Sequence, residues 1–172
     1  MELSDGVVFL RPLELADAPA VAAACGDPEI ARFIPGIPVP YGLDHAQAYL
    51  LEAGLAWEAG TRCAFAVVEA NGVELRGTID VGPAEIGSIG YWIACERRGQ
   101  GLATRALVLL SRWALSEGGV QRLELTTHLE NVASQRVAEK AGFVREGVLR
   151  SHIRFREGRR DSVLFSLLPS DL

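Results

Sequence analysis

The segment IGSIGYWIACERRGQGLATRALVLLSRWAL, Ile86 to Leu115, restricts the possible folds more than any other stretch of the chain. Its first nine residues, IGSIGYWIA, read as a buried strand ending at Ala94. Bare backbone follows, with Gly99 and Gly101 set among Arg97, Arg98 and small side chains. From Gly101 onward Ala103, Ala106, Leu107, Leu110, Trp113 and Ala114 recur at helical spacing, and Gly118-Gly119 stops the helix. The next run, RLELTT from Arg122 to Thr127, is a strand with Leu123 and Leu125 inward. A strand, a helix and a strand in that order form a crossover, which makes the two strands parallel.

The rest of the chain predicts antiparallel pairing around that unit. Val7 to Arg11 reads as a first strand, and Asp17 with Pro19 opens an alanine-rich helix ending near Gly26. IPGIPVPYG, Ile34 to Gly42, holds three prolines and is expected to be a loop inside the domain. Asp44, with Gln47 three residues on, has the form of a capping box. The helix it opens carries Ala46, Leu50, Ala53 and Trp57 on one face and stops at Gly60. Cys63 to Ala70 is a strand, and Asn71-Gly72 is a hairpin signal. In the following strand Leu75, Gly77, Ile79 and Val81 are expected to point one way, before a turn around Gly82-Pro83. Asn131 caps a second amphipathic helix with Val137 and Ala141 inward and Gly142 as its stop. Phe143 to Leu149 and Asp161 to Leu168 read as closing strands. The order β-α-α-β-β-β-α-β-α-β-β defines an α/β fold of the mixed type, in one domain spanning residues 1–172.

With 172 residues, 49% of them hydrophobic, the chain can bury a full core. No apolar run reaches the roughly 18 residues a membrane helix needs, and MELSDGVVFLRP does not read as a signal peptide. Three cysteines without paired spacing, Cys25, Cys63 and Cys95, suit reduced thiols in a cytoplasmic protein and no metal site. A formal net charge of −5 argues against a nucleic-acid partner and is compatible with a cationic small substrate.

The glycine turn invites an anion. The first N–H groups of a helix lack partners and carry partial positive charge, and glycines let them approach a phosphate. A P-loop is excluded because the lysine is missing. Gly99, Gly101 and Thr104 come near the dinucleotide fingerprint, but too little chain follows for that fold. The pattern R-x-x-G-x-A is met by Arg98, Gly101 and Ala103.

That pattern, opening a helix after a strand, resembles the acyl-CoA signature of the GNAT superfamily of N-acyltransferases. NVASQRVAEKAGF, Asn131 to Phe143, resembles a second block of the same family, in the branch of the ribosomal-protein N-terminal (Rim-type) acetyltransferases. FLRPLELADAPAV, DPEIARF, GYWI and RRDSVLFSLL are similar to that branch too, so the resemblance covers nearly the whole chain. It implies the GNAT fold: a mixed, mostly antiparallel central sheet with a splayed strand pair and helices on both faces. It further implies transfer of acetyl from acetyl-CoA, with no metal, to a primary amine on a protein N-terminus, a small amine or an amino-sugar. A homodimer is compatible with the branch.

By the family pattern the pyrophosphate falls to Arg98, Gly99, Gln100, Gly101, Leu102, Ala103 and Thr104, and the pantetheine arm to Ile93, Ala94, Cys95 and Asn131. The residues themselves leave Asn131 open as a plain helix cap. The tyrosine that many members use as acid to the thiolate is replaced by Ala138, and Ser134 is the substitute, which also bears on the cofactor arm. A frequent carboxylate is replaced by Ser88. Glu85, Glu130 and His128 are then the candidate bases, with a water chain as the alternative. Tyr41, Phe33 and the segment from Ser151 to Arg160 are expected near the acceptor, whereas Tyr91, Trp92 and Phe143 read as core. The competing possibilities are an aminoglycoside-type acetyltransferase, marked by acidic residues beside the acceptor pocket, a CoA-binding module without turnover, and more remotely a dinucleotide-binding protein.

Overall fold

The computed structural model describes residues 1–70, 72–82 and 85–172. Eight strands form one sheet in the order β1-β2-β3-β4-β5-β6-β8-β7. They are β1 (Leu3–Ser4), β2 (Val8–Pro12), β3 (Cys63–Glu69), β4 (Leu75–Val81), β5 (Ile86–Ile93), β6 (Arg122–His128), β7 (Val144–Phe155) and β8 (Gly158–Leu167). The helices are α1 (Ala18–Cys25), α2 (Pro28–Phe33), α3 (Leu43–Glu58), α4 (Leu102–Ser116) and α5 (Val132–Lys140). β5 and β6 are the parallel pair the crossover requires, and every other described pairing is antiparallel.

Two cores lie on opposite faces of the sheet. Phe65, Ile79, Leu123 and Leu125 pack with Leu107 and Leu110 of α4 and Ala138 of α5. Ala66, Val68 and Trp92 pack with Val21 of α1 and Leu50 of α3. Leu107 and Leu110 are fully buried, so removing either side chain down to alanine costs about 2–5 kcal/mol. Arg11 of β2 holds the buried Asp17 at the start of α1 through two contacts of 2.9 and 2.7 Å, tying that helix to the sheet.

Several expectations need correction. Leu75 does not share a face with Gly77, Ile79 and Val81. Opposite the consecutive Val67 and Val68 of β3 stand Gly77 and Leu75, so Arg76 is an extra residue in β4 that turns Leu75 to the α1/α3 side, while Ile79 and Val81 face α4. α3 begins at Leu43, not after Asp44. Its N-cap is Gly42, whose N–H donates to the His45 ring Nδ1 at 3.0 Å, so His45 does what was expected of Gln47. α2 was not foreseen as a helix. Its six residues are too few for a periodic pattern, although Asp27 caps it and Pro28 occupies its first position. β7 runs on past Leu149 to Phe155 and β8 starts at Gly158, not Asp161, so the segment from Ser151 to Arg160 is the end of a hairpin. Asn71 of the expected hairpin and Pro83 of the expected turn lie outside the described residues.

One feature of the sheet makes a site. β5 and β6 are in register only from Ile86 opposite Arg122 to Ile89 opposite Leu125. Beyond that, β5 stays paired to β4 up to Ile93 opposite Gly77, and β6 stays paired to β8 up to His128 opposite Ser162. The two central strands therefore diverge at their C-terminal ends, and a gap opens through the sheet between Gly90–Ile93 and Thr126–His128.

Candidate active site

A cavity of 440 Å³ lies at the diverging end of β5, walled by α2, the turn before α4 and α5. The turn before α4 forms one end, with Arg98, Gly99, Gly101, Leu102, Ala103 and Thr104 on its wall. Gly99 and Gly101 have positive φ of 76° and 83°, which only glycine adopts without strain, and a Cβ on either would enter open space. The first α4 amide bonded into its own helix is that of Arg105, to the Gly101 carbonyl at 3.1 Å. The N–H groups of residues 99–104 have no acceptor among the described residues. These free donors at a positive helix end, with Arg136 and Lys140 of α5 on the same wall, fit a pyrophosphate with further phosphate nearby.

Arg98 is already paired within the protein. Its Nε donates to the Ile93 carbonyl at 3.0 Å, and its Nη2 meets Asp27 at 2.6 Å. Asp27 also accepts from the Glu29 N–H as the cap of α2, and that bond, with Arg98, holds its carboxyl below the usual range. Arg98 thus straps the last carbonyl of β5 to the first turn of α2.

The middle of the cavity carries the polar chemistry. Asn131 accepts the Ser134 N–H at its side-chain oxygen, 3.1 Å, so it is a helix cap that also lines the cavity. Ser134 Oγ lies 2.8 Å from Tyr91 Oη. Burial pushes the Tyr91 phenol up to about 12, so it remains protonated. Tyr91 packs against the core, as its strand predicts, and lines the cavity as well. It stands on β5 with Ile89 and Ile93, and apolar alternation hid the fact that its hydroxyl reaches past the core into the gap. Ala138, in the position of the missing tyrosine, is fully buried.

The structure brings Ile93, Arg98, Gly99, Gly101, Leu102, Ala103, Thr104, Asn131 and Ser134 together on one cavity. Ala94, Cys95 and Gln100 are adjacent in the chain but do not line it. Gln100 bonds back to the Glu96 carbonyl, and Cys95 is exposed. The candidate bases are dispersed. Glu85 sits at the opposite end of β5, where its carbonyl receives the Gln121 N–H. Glu130 pairs with Arg32 at 2.9 Å, which lowers its pKa and weakens it as a base. His128 does not line the cavity, although its ring lies 5.8 Å from that of Phe33, which does. Its Nδ1 accepts the Glu130 N–H at 3.2 Å, so in neutral imidazole the proton resides on Nε2. Among the described residues no group of three or more His, Cys, Asp or Glu side chains could hold a metal.

The sheet order, the parallel pair with its gap and the glycine cradle together define an acyl-CoA transferase scaffold. A family model described as "Acetyltransferase (GNAT) domain" matches residues 8–144, and the chain belongs to that family. It is 30% identical over 112 residues to the protein named Probable N-acetyltransferase YjcK of Bacillus subtilis (strain 168), covering 62% of each. It is 34% identical over 62 residues to the ribosomal-protein-serine acetyltransferase of Escherichia coli (strain K12), covering 36% of this chain and 35% of that one. The chain thus spans less than two thirds of the length of these relatives in the alignments. Among solved structures, Mycobacterium smegmatis RimJ in complex with CoA-disulfide superposes with a TM-score of 0.88 at 25% identity, covering 100% of this chain and 88% of that one.

Proposed function

We propose that the protein is an acetyl-CoA-dependent N-acetyltransferase, with residues 1–172 as one catalytic domain, acting on a primary amine. The observation that carries this is the continuity of one cavity from the glycine cradle to the hydrogen-bonded Ser134 and Tyr91. Acetyl-CoA supplies the acyl group as a thioester. The amides of residues 99–104 hold its pyrophosphate, Arg136 and Lys140 add positive charge beside them, and the end of β5 lines up the pantetheine arm. A neutral amine nitrogen bonds to the acyl carbon, the carbon–sulfur bond breaks, and sulfur leaves with the electron pair. Ser134 gives its proton to that sulfur while Tyr91 replaces it, and the proton released by the amine returns to Tyr91 through water. The amine loses its proton to water, because the His128 lone pair is engaged, Glu130 is paired and Glu85 is remote.

The absence of a membrane-length apolar helix among the described residues and three unpaired cysteines suit the cytoplasm, where acetyl-CoA is found. Calorimetric titration with acetyl-CoA, with NAD beside it, tests the cradle, and thiol release with an amine tests the chemistry. Micromolar binding of acetyl-CoA alone, followed by thiol release, is expected. Binding of NAD instead removes the cradle assignment. Binding of acetyl-CoA without thiol release from any amine leaves a CoA-binding module.

A further inference from the structure

The chemistry proposed above starts from a neutral amine, but a primary amine reaches the protein at neutral pH mostly as an ammonium ion. One proton must leave before nitrogen can attack, and Glu85, Glu130 and His128 are each remote or engaged. β4 offers another carboxylate. Asp80 stands between Ile79 and Val81, which face α4, so its side chain projects to the opposite face of the sheet. The ionisable groups facing it there are Tyr49 and Glu52 of α3 and Arg62, just before β3. Its cross-strand neighbours are Ala64 of β3 and Gly90 of β5, neither of which titrates.

Among the described residues none donates a hydrogen bond to the Asp80 carboxylate, and Arg62 makes its ion pair with Glu52 at 3.4 Å instead. The Gly90 opposite is bare. A Cβ there would stand 3.4 and 3.6 Å from the two carboxylate oxygens, so both oxygens look onto the space over Gly90. Gly90 is also the first residue of β5 beyond its last pairing with β6, at Ile89 opposite Leu125, so that space adjoins the start of the gap. Asp80 does not line the acetyl-transfer cavity itself, but Ile30 and Trp92, which pack on its face of the sheet, do. Tyr91 packs on the other face. A thioester carbon held in the gap therefore has the Tyr91–Ser134 pair on one side of the sheet and a carboxylate on the other. Burial raises that carboxyl to about 6, which leaves it ionised at neutral pH and a stronger base than an ordinary aspartate.

We infer that Asp80 takes the proton of the arriving ammonium through a water over Gly90, and that the amine approaches from the face of the sheet opposite Ser134. The inference rests on the acetyl-transfer proposal for the reaction it serves. One N–H bond of the ammonium breaks, and the water passes a proton on to an Asp80 oxygen. Nitrogen keeps the electron pair, with which it attacks the acyl carbon. The Asp80 carboxyl then returns its proton to solvent before the next amine arrives. The proton that nitrogen sheds after the attack is a second one, and it takes the path to Tyr91. Asp80 thus acts through water rather than on the acyl group, and it is a carboxylate kept ionised at a cost in stability, as groups with shifted pKa values at functional sites are.

The test measures thiol release from acetyl-CoA by the full chain with two acceptors, phenethylamine and hydroxylamine, after subtraction of the uncatalysed reaction. At pH 7 the first is protonated and the second mostly neutral. Asp80→Asn should lower kcat/KM at pH 7 by about 10²-fold for phenethylamine and by less than about twofold for hydroxylamine. Calorimetric affinity for acetyl-CoA should stay at the wild-type value. The pH profile gives a second readout. Wild-type kcat/KM for phenethylamine should be level at neutral pH and fall as pH drops through about 6, where Asp80 takes up its own proton. In Asp80→Asn it should instead climb steadily with pH until the amine itself is neutral. Gly90→Ala, whose methyl takes the place of the water, should show the same contrast between acceptors and replaces Asp80→Asn should that variant not fold. Equal losses with both acceptors, no loss in the folded variants, or a wild-type profile that climbs as the variant's does each overturns the assignment. Wild-type protein that binds acetyl-CoA and releases thiol with neither acceptor overturns the acetyl-transfer proposal, and this assignment with it.

Discussion

Tyr91 on β5 and Ser134 in the first turn of α5 face each other across the gap in the sheet, with their hydroxyl oxygens 2.8 Å apart. The two residues come from opposite sides of the splayed strands, so the bond forms only where β5 and β6 have ceased to pair. Asn131 fixes the start of α5 by accepting the Ser134 N–H, which sets where that hydroxyl projects. Burial keeps Tyr91 protonated, so it can donate to Ser134 and leave the serine hydrogen for the leaving sulfur, as the proposed chemistry requires. Ser134→Ala should lower kcat by about 10²-fold and Tyr91→Phe by about tenfold, with acetyl-CoA affinity nearly unchanged in both. The double variant should be no slower than Ser134→Ala, because the tyrosine acts through the serine. Steady-state thiol release with calorimetry beside it decides this. A Ser134→Ala protein turning over at the wild-type rate removes Ser134 from the mechanism.

The Arg98 strap yields a second prediction. Arg98 uses two separate nitrogens, one on Ile93 and one on Asp27, and lysine cannot span both. Asp27→Asn keeps a good helix cap but loses the charge. Amide hydrogen exchange of residues 28–33 should quicken in both Arg98→Lys and Asp27→Asn. Acetyl-CoA binding should weaken in Arg98→Lys alone, since only there is the end of β5 released. Equal cofactor affinity in the two variants would detach the strap from the cofactor arm.

Much of this architecture is legible in the residues. The crossover and its parallel pair follow from Ile86 to Thr127, because periodicity and glycine stops are local signals. The cradle is equally local: Gly99 and Gly101 precede a helix, and that suffices to predict free amides. What is not legible depends on distance across the fold. Nothing near Arg98 in the chain announces Asp27 as its partner, and an apolar strand gives no sign that one tyrosine in it reaches a serine on another helix. Leu75 turns away from its expected face because Arg76 is an extra residue in β4, set against the consecutive Val67 and Val68 of β3, and nothing in the alternation of β4 marks it.

Asp80 predicts how stability varies with pH. It lies under α3, against Gly90, with Arg62, Glu52 and Tyr49 as the ionisable groups that face it. Burial is the dominant influence and raises its carboxyl from 3.8 to about 6. The unfolded chain therefore releases this proton first as pH rises, so the group costs nothing at pH 3 and destabilises increasingly between about pH 4 and 6. The full difference corresponds to about 3 kcal/mol, and partial contact with solvent reduces the expected effect to about 1–2 kcal/mol. Asp80→Asn should raise the melting temperature at pH 7.5 and leave it nearly unchanged at pH 4. A variant that is equally stabilised, or destabilised, at both values shows that Asp80 is not strained by burial.

The cradle itself is best tested by comparing two glycines. Gly101 and Gly119 lie at opposite ends of α4, with φ of 83° and 74°, and a Cβ on either would meet nothing within 4 Å. Valine at either position must adopt the left-handed conformation, which costs about 1–3 kcal/mol. Both Gly101→Val and Gly119→Val should therefore lose stability to a similar degree, seen as similar falls in melting temperature. The difference lies in what the open space is for. At Gly101 it belongs to the cavity where the amides of residues 99–104 converge, whereas Gly119 is not among the residues lining it. Isopropyl at 101 fills the place a pyrophosphate must take, so acetyl-CoA binding should disappear in folded Gly101→Val and persist in Gly119→Val. If Gly101→Val folds and binds acetyl-CoA normally, the glycines serve only the turn and the anion lies elsewhere. If binding is lost in both variants, the loss comes from destabilised α4, and the cradle must be probed by the milder Gly101→Ala, whose single methyl still enters the cavity.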